Sequence, residues 1–141
     1  MENLTFTYTV PGDDFTRAGD ASSKIKKNLR ELGIPPAIIR AVAIAVYEGE
    51  INMVIHAKTG GDITVDVNEK QITTVLKDTG CGIPDLTLAM SEGWTTAPDE
   101  VRALGFGAGM GLPNMKKYAD IFDITSEVGK GTTVTMKFNL A

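Results

Sequence analysis

The 141-residue sequence has one cysteine, one histidine and one tryptophan, and aromatic residues make up only 6% of it. A single cysteine, Cys81, excludes an internal disulfide and agrees with a reducing compartment. With one histidine, His56, no Cys/His cluster has zinc spacing, and a Ser-His-Asp triad would have to recruit His56 without a nucleophile motif. His56 falls near the end of an expected helix, where an imidazole ordinarily interacts with the last carbonyls, and it is given no catalytic role. No apolar run approaches the ~20 residues of a membrane span. The start, MENLTFTYTV, has neither the basic residues nor the apolar stretch of a secretion signal, which points to the cytoplasm. No basic block offsets the formal charge of −4, which argues against a protein that coats nucleic acid. There is no internal repeat, low-complexity tract or linker.

What is present fits one domain over residues 1–141. A chain of this length buries roughly 68% of its unfolded surface, and 43% hydrophobic with 23% charged residues is ordinary for a soluble globular protein. Glycine is where the sequence departs from the ordinary. In RALGFGAGMGLPNMKK, glycines stand at 105, 107, 109 and 111 and lead into a helix expected to start near Leu112, with Pro113 in its first turn. Backbone N–H groups in such a run point into one concavity, and the helix N-terminus adds roughly half a positive charge. This is a phosphate cradle, the alternative being a flexible hinge.

Along the chain, Leu4, Phe6, Tyr8 and Val10 alternate with threonines, predicting a half-buried strand stopped by Pro11-Gly12. A helix is expected from about Asp14 to Leu32, with Ile25, Leu29 and Leu32 on one stripe and Gly33 closing it. Pro35-Pro36 opens a second helix reaching about Ala57, some ~33 Å long. It is apolar nearly all round through AIIRAVAIAV, so it belongs deep in the fold. Polar residues on such a helix need partners. Glu48 and Asn52 share a face one turn apart, while Glu50 points some ~200° away from Glu48. The Glu48–Asn52 pair is either capped internally or faces a ligand. Gly49 beside it costs about 1 kcal/mol relative to alanine, which a close approach of ligand or neighbouring strand would explain.

A hairpin follows, GDITVDV and QITTVLKD around Asn68-Glu69, placing Ile72, Thr74, Leu76 and Asp78 on one face. Asp78 therefore ends an apolar surface, and Gly80 and Gly82 let the backbone turn beside it; a solvated aspartate in a plain turn is the alternative. Cys81 between those glycines reads as a small filler, or else a redox switch. Asp85 to Gly93 is expected as a short helix and Trp94 to Leu104 as a lid. After the helix near Leu112, IFDITSE forms a strand that Gly129-Lys130-Gly131 turns into TTVTMKFNL. There Thr132 shares the apolar face with Val134, Met136 and Phe138, its hydroxyl either aimed into the core near Asp78's strand or bonded back to the main chain.

Taken in order, Glu48-x-x-x-Asn52, Asp78-x-Gly80-x-Gly82, the Gly105 to Gly111 run and Gly129-x-Gly131-Thr132 resemble the four boxes of the Bergerat-type (GHKL) ATP-binding fold. The length, the GWTTAPDEVR lid and the AGMGLPNMKKYAD helix look most like its branch of anti-sigma-factor and switch-protein serine kinases. The resemblance implies an α/β two-layer sandwich, helices on one face of a mixed, mostly antiparallel sheet, with an ATP lid over about 85–111. It implies ATP and Mg²⁺ as cofactors, Asn52 as the metal ligand and Glu48 as general base. Asp78 would accept from the adenine amino group, Thr132 would help through a water, and Gly82 would let the base approach. Gly107, Ala108, Gly109 and Gly111 would hold phosphates, with Gly80, Ile83, Thr95, Thr96, Gly105, Met110 and Leu112 completing the nucleotide site. The implied activity is transfer of phosphate to a serine on an antagonist partner protein, and the implied partners extend to a sigma factor or other regulator, to the exclusion of nucleic acid and membrane. A homodimer is compatible with it. The alternative is a nucleotide-gated protein that sequesters a sigma factor and transfers little phosphate. An ATPase module of a histidine kinase is disfavoured, because no dimerisation helix carries an acceptor histidine.

Overall fold

The structure, a computed structural model, describes residues 3–12, 18–56, 60–80 and 111–140. In chain order they form β1 (Leu4–Val10), α1 (Asp20–Glu31), α2 (Pro36–His56), β2 (Gly61–Val67), β3 (Gln71–Asp78), α3 (Gly111–Tyr118), β4 (Ile121–Glu127) and β5 (Gly131–Asn139). The expected helix at 85–93, the lid and the glycine run up to Met110 lie outside the described residues, as do Cys81 and the stretch 13–17.

The strands lie side by side in the order β1-β2-β3-β5-β4, and every described pairing is antiparallel, so the sheet expected to be mixed and mostly antiparallel is antiparallel throughout these five strands. Alternation along the strands decides its two faces. Ile63, Val65 and Val67 on β2, Ile72, Thr74 and Leu76 on β3, and Val134, Met136 and Phe138 on β5 are buried together. Thr74, the polar member, donates its hydroxyl to the Met136 carbonyl at 3.3 Å, which removes the cost of burying it. Asn68 closes the β2–β3 hairpin by accepting from the Lys70 and Gln71 N–H groups at 2.8 and 2.9 Å, the local bonding that favours asparagine in turns.

Helices cover the apolar face. α2 crosses the middle, touching β1, β3 and β5, with α1 against β1 on one flank and α3 against β4 on the other. The helix apolar all round is thus the one with neighbours on three sides, and Val42, Ala45 and Val46 on it are fully buried. Ile25 and Leu29 of α1 enter the core as the stripe predicts. The start of α1 is a correction: it was expected near Asp14, but Gly19 takes a left-handed conformation at φ 96° and the helix begins at Asp20. Gly49 has the strand-side explanation. A Cβ there would meet Leu76 Cδ2 at 2.2 Å and Met115 Sδ at 3.4 Å, so the absent side chain is what lets α2 seat on β3 and α3 together.

Candidate functional site

Three groups of expected site residues can be followed in space. On α2, Glu48 and Asn52 are both half-buried and one turn apart. Burial pushes the Glu48 carboxyl above its ordinary value, and a hydrogen bond with the Asn114 side chain, from the first turn of α3, pulls part of the way back. Asn114 was not among the residues singled out from the sequence. Its neighbour Pro113 marked the helix start, and an amide in that first turn is the signal that could have found it.

Glu50 was also missed, and it is the most constrained carboxylate among the described residues. It is 1% exposed and sits where its ~200° offset from Glu48 places it, against α1. Its Oε2 accepts from the Gly19 and Ala21 N–H groups at 3.0 and 3.1 Å, and its Oε1 from the Ser22 N–H and hydroxyl at 3.0 and 2.6 Å. Helix α1 makes no side-chain cap of its own. Its orphan N–H groups are satisfied from the neighbouring helix, and a negative charge is favourable at that end of the helix dipole. The sequence signal was available in part: a buried glutamate demands donors, and a helix opening at glycine offers uncapped ones.

The second group is built on β3 and β5. Asp78 Oδ1 accepts from the Gly80 N–H at 2.9 Å, an Asx-type turn, and from the Thr132 N–H at 3.2 Å. Among the described residues, both hydrogen bonds to this carboxylate fall on Oδ1. The two strands can meet this closely because Gly131 has no side chain: a Cβ there would lie 2.1 Å from the Asp78 carbonyl oxygen. The Thr132 hydroxyl is neither bonded back to its own turn nor buried in apolar core, but lies 2.9 Å from the Ser126 hydroxyl of β4. Ser126 is a further residue the sequence did not bring forward.

The third group is the start of α3, where Gly111 opens the helix and Leu112 and Met115 are buried against α2. The Gly49 contact with Leu76 and Met115 brings the three groups to one place. Asp78 follows Leu76 by two residues, Glu48 and Asn52 flank Gly49, and Met115 lies one turn into α3. Gly82, Ile83, Thr95, Thr96, Gly105, Gly107, Ala108, Gly109 and Met110 lie outside the described residues. Among the described residues, no group of three or more His, Cys, Asp and Glu could hold a metal by itself, and no helix is long and apolar enough to cross a membrane.

With this geometry in hand, known proteins give a consistent match. The family described as histidine kinase-, DNA gyrase B- and HSP90-like ATPase matches residues 33–141. The chain belongs to this ATPase family. Within it, the chain is 31% identical to an anti-sigma F factor of Clostridium acetobutylicum, over 98% of this chain and 92% of that protein. It is 28% identical to the serine/threonine-protein kinase RsbT of Bacillus subtilis, over 81% and 83% of the two. The anti-sigma-factor and serine-kinase branch is therefore where this family member falls. In fold it is similar to a mycobacterial sensor histidine kinase, MprB, with a TM-score of 0.56 at 15% identity over 96% of this chain and 97% of the other. It is also similar to the RsbU and RsbW domains of Rv1364c from Mycobacterium tuberculosis, with a TM-score of 0.62 at 16% identity over 99% of this chain and 33% of that one.

Proposed function

We propose that this chain is an ATP- and Mg²⁺-dependent protein serine kinase of the anti-sigma-factor type, which phosphorylates an antagonist partner protein and thereby regulates transcription or stress signalling. The observation that carries the reading is Glu48. A nucleotide binder needs an acceptor for adenine and N–H groups for phosphates, and neither task calls for a half-buried carboxylate with a raised pKa one turn from Asn52. A base for a serine hydroxyl does call for one.

The remaining assignments follow the chemistry of each group. Asp78 Oδ2 accepts from the adenine amino group, with the Thr132 hydroxyl, already paired with Ser126, completing that end through a water. Gly80 and Ile83 with Gly82 let the base lie against backbone, and Thr95 and Thr96 belong to the lid. Main-chain N–H groups of Gly107, Ala108, Gly109 and Gly111 hold the phosphates, with Leu112 anchoring α3 in the core. Asn52 offers a side-chain carbonyl oxygen, a hard ligand of the kind that suits Mg²⁺, which takes few protein ligands and completes its shell with phosphates and water. Bound there, the ion would neutralise charge on the phosphates. Glu48 removes the serine proton, and Asn114 holds the carboxylate toward α3.

A second reading has its own support, since 31% identity links the chain to a protein named for binding a sigma factor. In that reading nucleotide gates the capture of a sigma factor or other regulator, and transfer is slow. The two are separated by incubation with labelled ATP, Mg²⁺ and the purified proteins encoded beside this chain. Label on a serine of one of them is the expected result, and stoichiometric capture without label would favour the binder.

A further inference from the structure

Between α1 and α2 runs a groove of about 600 Å³. Gly19, Ser22 and Lys26 form one wall and Ala43, Tyr47 and Glu48 the other. We propose that this groove is the acceptor side of the site and receives the hydroxyl-bearing segment of the partner protein. The proposal rests on the kinase reading above and adds where its protein substrate lies.

Three observations point there. The first is the place of Glu48, which lines the groove on the α1 flank of α2 while its hydrogen bond to Asn114 reaches α3 on the other flank. The residues proposed for phosphates open α3, so phosphate approaches from that flank and the attacking hydroxyl comes from the other. A base has to lie within about 3 Å of the hydroxyl it deprotonates, and the groove is the recess on the α1 side that Glu48 borders. The second is that one wall is fixed in advance. The Glu50 carboxylate holds Gly19, Ala21 and Ser22 by four hydrogen bonds, so the first turn of α1 keeps its distance from α2 without a partner present. A preformed recess spares the ordering cost that weakens association, and its volume is within the range of about 300–1,000 Å³ that takes a ligand.

Chemistry of the lining selects the occupant. Ala43, Ile44 and the ring of Tyr47, 39% exposed, give an apolar floor, and Lys26 is exposed with no ion pair among the described residues. A short extended segment fits, with its hydroxyl at Glu48, a small apolar side chain on Ala43 and Ile44, and a carbonyl oxygen at Lys26, since Asp20 on the same wall disfavours a carboxylate there. Tyrosine rings are enriched where proteins recognise one another, and polar groups such as Lys26 belong to the rim of such contacts.

The test uses the protein that takes label on serine in the transfer assay above. Ala43→Arg fills the groove without touching the residues proposed to bind nucleotide. It is expected to raise KM for that partner by about tenfold or more, equivalent to ~1.4 kcal/mol, while the Kd for MgATP measured by calorimetry stays within about twofold of wild type. Lys26→Glu, at an exposed position that tolerates replacement, is expected to raise the same KM several-fold and guards against misfolding of the first variant. Wild-type KM for the partner in both variants overturns the proposal, and so does a parallel loss of MgATP affinity, which would put nucleotide in the groove. A wild-type chain that labels no serine on any candidate overturns the kinase reading first and this inference with it. A labelled partner with unchanged KM in both variants overturns the docking site alone.

Discussion

Glu48 and Glu50 lie two residues apart on one helix and live under opposite conditions. Glu50 is sealed from water and surrounded by four donors from the first turn of α1. Glu48 is half-buried, has the Asn114 amide for a partner, and is held above the ordinary carboxylate range by burial. A buried charge is tolerated where protein donors replace its hydration shell, and a charge left short of donors is the one ready to take a proton. Two glutamates of one sequence stretch thus divide into a structural tie and the carboxylate we propose as base, and the division is made by which neighbour each one faces.

The largest effect expected from breaking this division is on catalysis. Glu48→Ala should lower phosphate transfer to the partner serine by about 10²–10⁴-fold. Affinity for MgATP should stay within about tenfold, or ~1.4 kcal/mol, and unfolding stability within about 1 kcal/mol. Transfer at the wild-type rate would remove Glu48 from the role of base. The next largest is on stability. Glu50→Ala strands three N–H groups and the Ser22 hydroxyl at the start of α1, and urea unfolding should show a loss of about 2–4 kcal/mol. If Glu50→Ala proved as stable as Glu48→Ala, the contrast between tie and base would fail.

Much of this contrast was legible in the sequence, and what was not has a physical reason. Periodicity alone separates the faces of α2: the 3.6-residue repeat puts Glu48 with Asn52 and sends Glu50 elsewhere. It also places Ile72, Thr74, Leu76 and Asp78 on one face of β3, as the burial of the first three bears out. Gly49 announced a close approach, and the structure supplies the atoms, Leu76 Cδ2 and Met115 Sδ. What a period cannot give is the identity of the element across the gap. That Glu50 meets Gly19, Ala21 and Ser22 depends on α1 folding back over α2 with its N-terminus at the level of that one residue, a matter of tertiary packing. The same holds for Ser126 and Thr132, six residues apart in sequence, whose hydroxyls meet because β4 and β5 pair Ser126 with Thr132 across the ladder. The start of α1 was misplaced because the apolar stripe marks a face and not a boundary, whereas the left-handed Gly19 sets that boundary in the structure.

The smallest expected effect is the one that tests the electrostatics most directly. Glu48→Gln keeps the length of the side chain and a carbonyl oxygen for Asn114 while removing the titrating carboxyl. In the wild type the folded-state pKa of Glu48 is raised, with burial the leading cause. Between the unfolded and folded values the folded chain binds more protons than the unfolded one, so stability is fully present below the ordinary carboxylate pKa and declines as pH rises through the higher folded value. Gln carries no such penalty, so near pH 7 the variant should unfold at a slightly higher urea concentration than wild type. That advantage should close as the pH is lowered past the ordinary glutamate range. Glu50→Gln should behave in the opposite sense near neutrality, because an amide sets an NH₂ group against N–H donors that a carboxylate accepts from on both oxygens. A pH series of urea midpoints for the two variants reads both signs. If both moved the same way near pH 7, the distinct burial of the two carboxylates would not be what sets their roles.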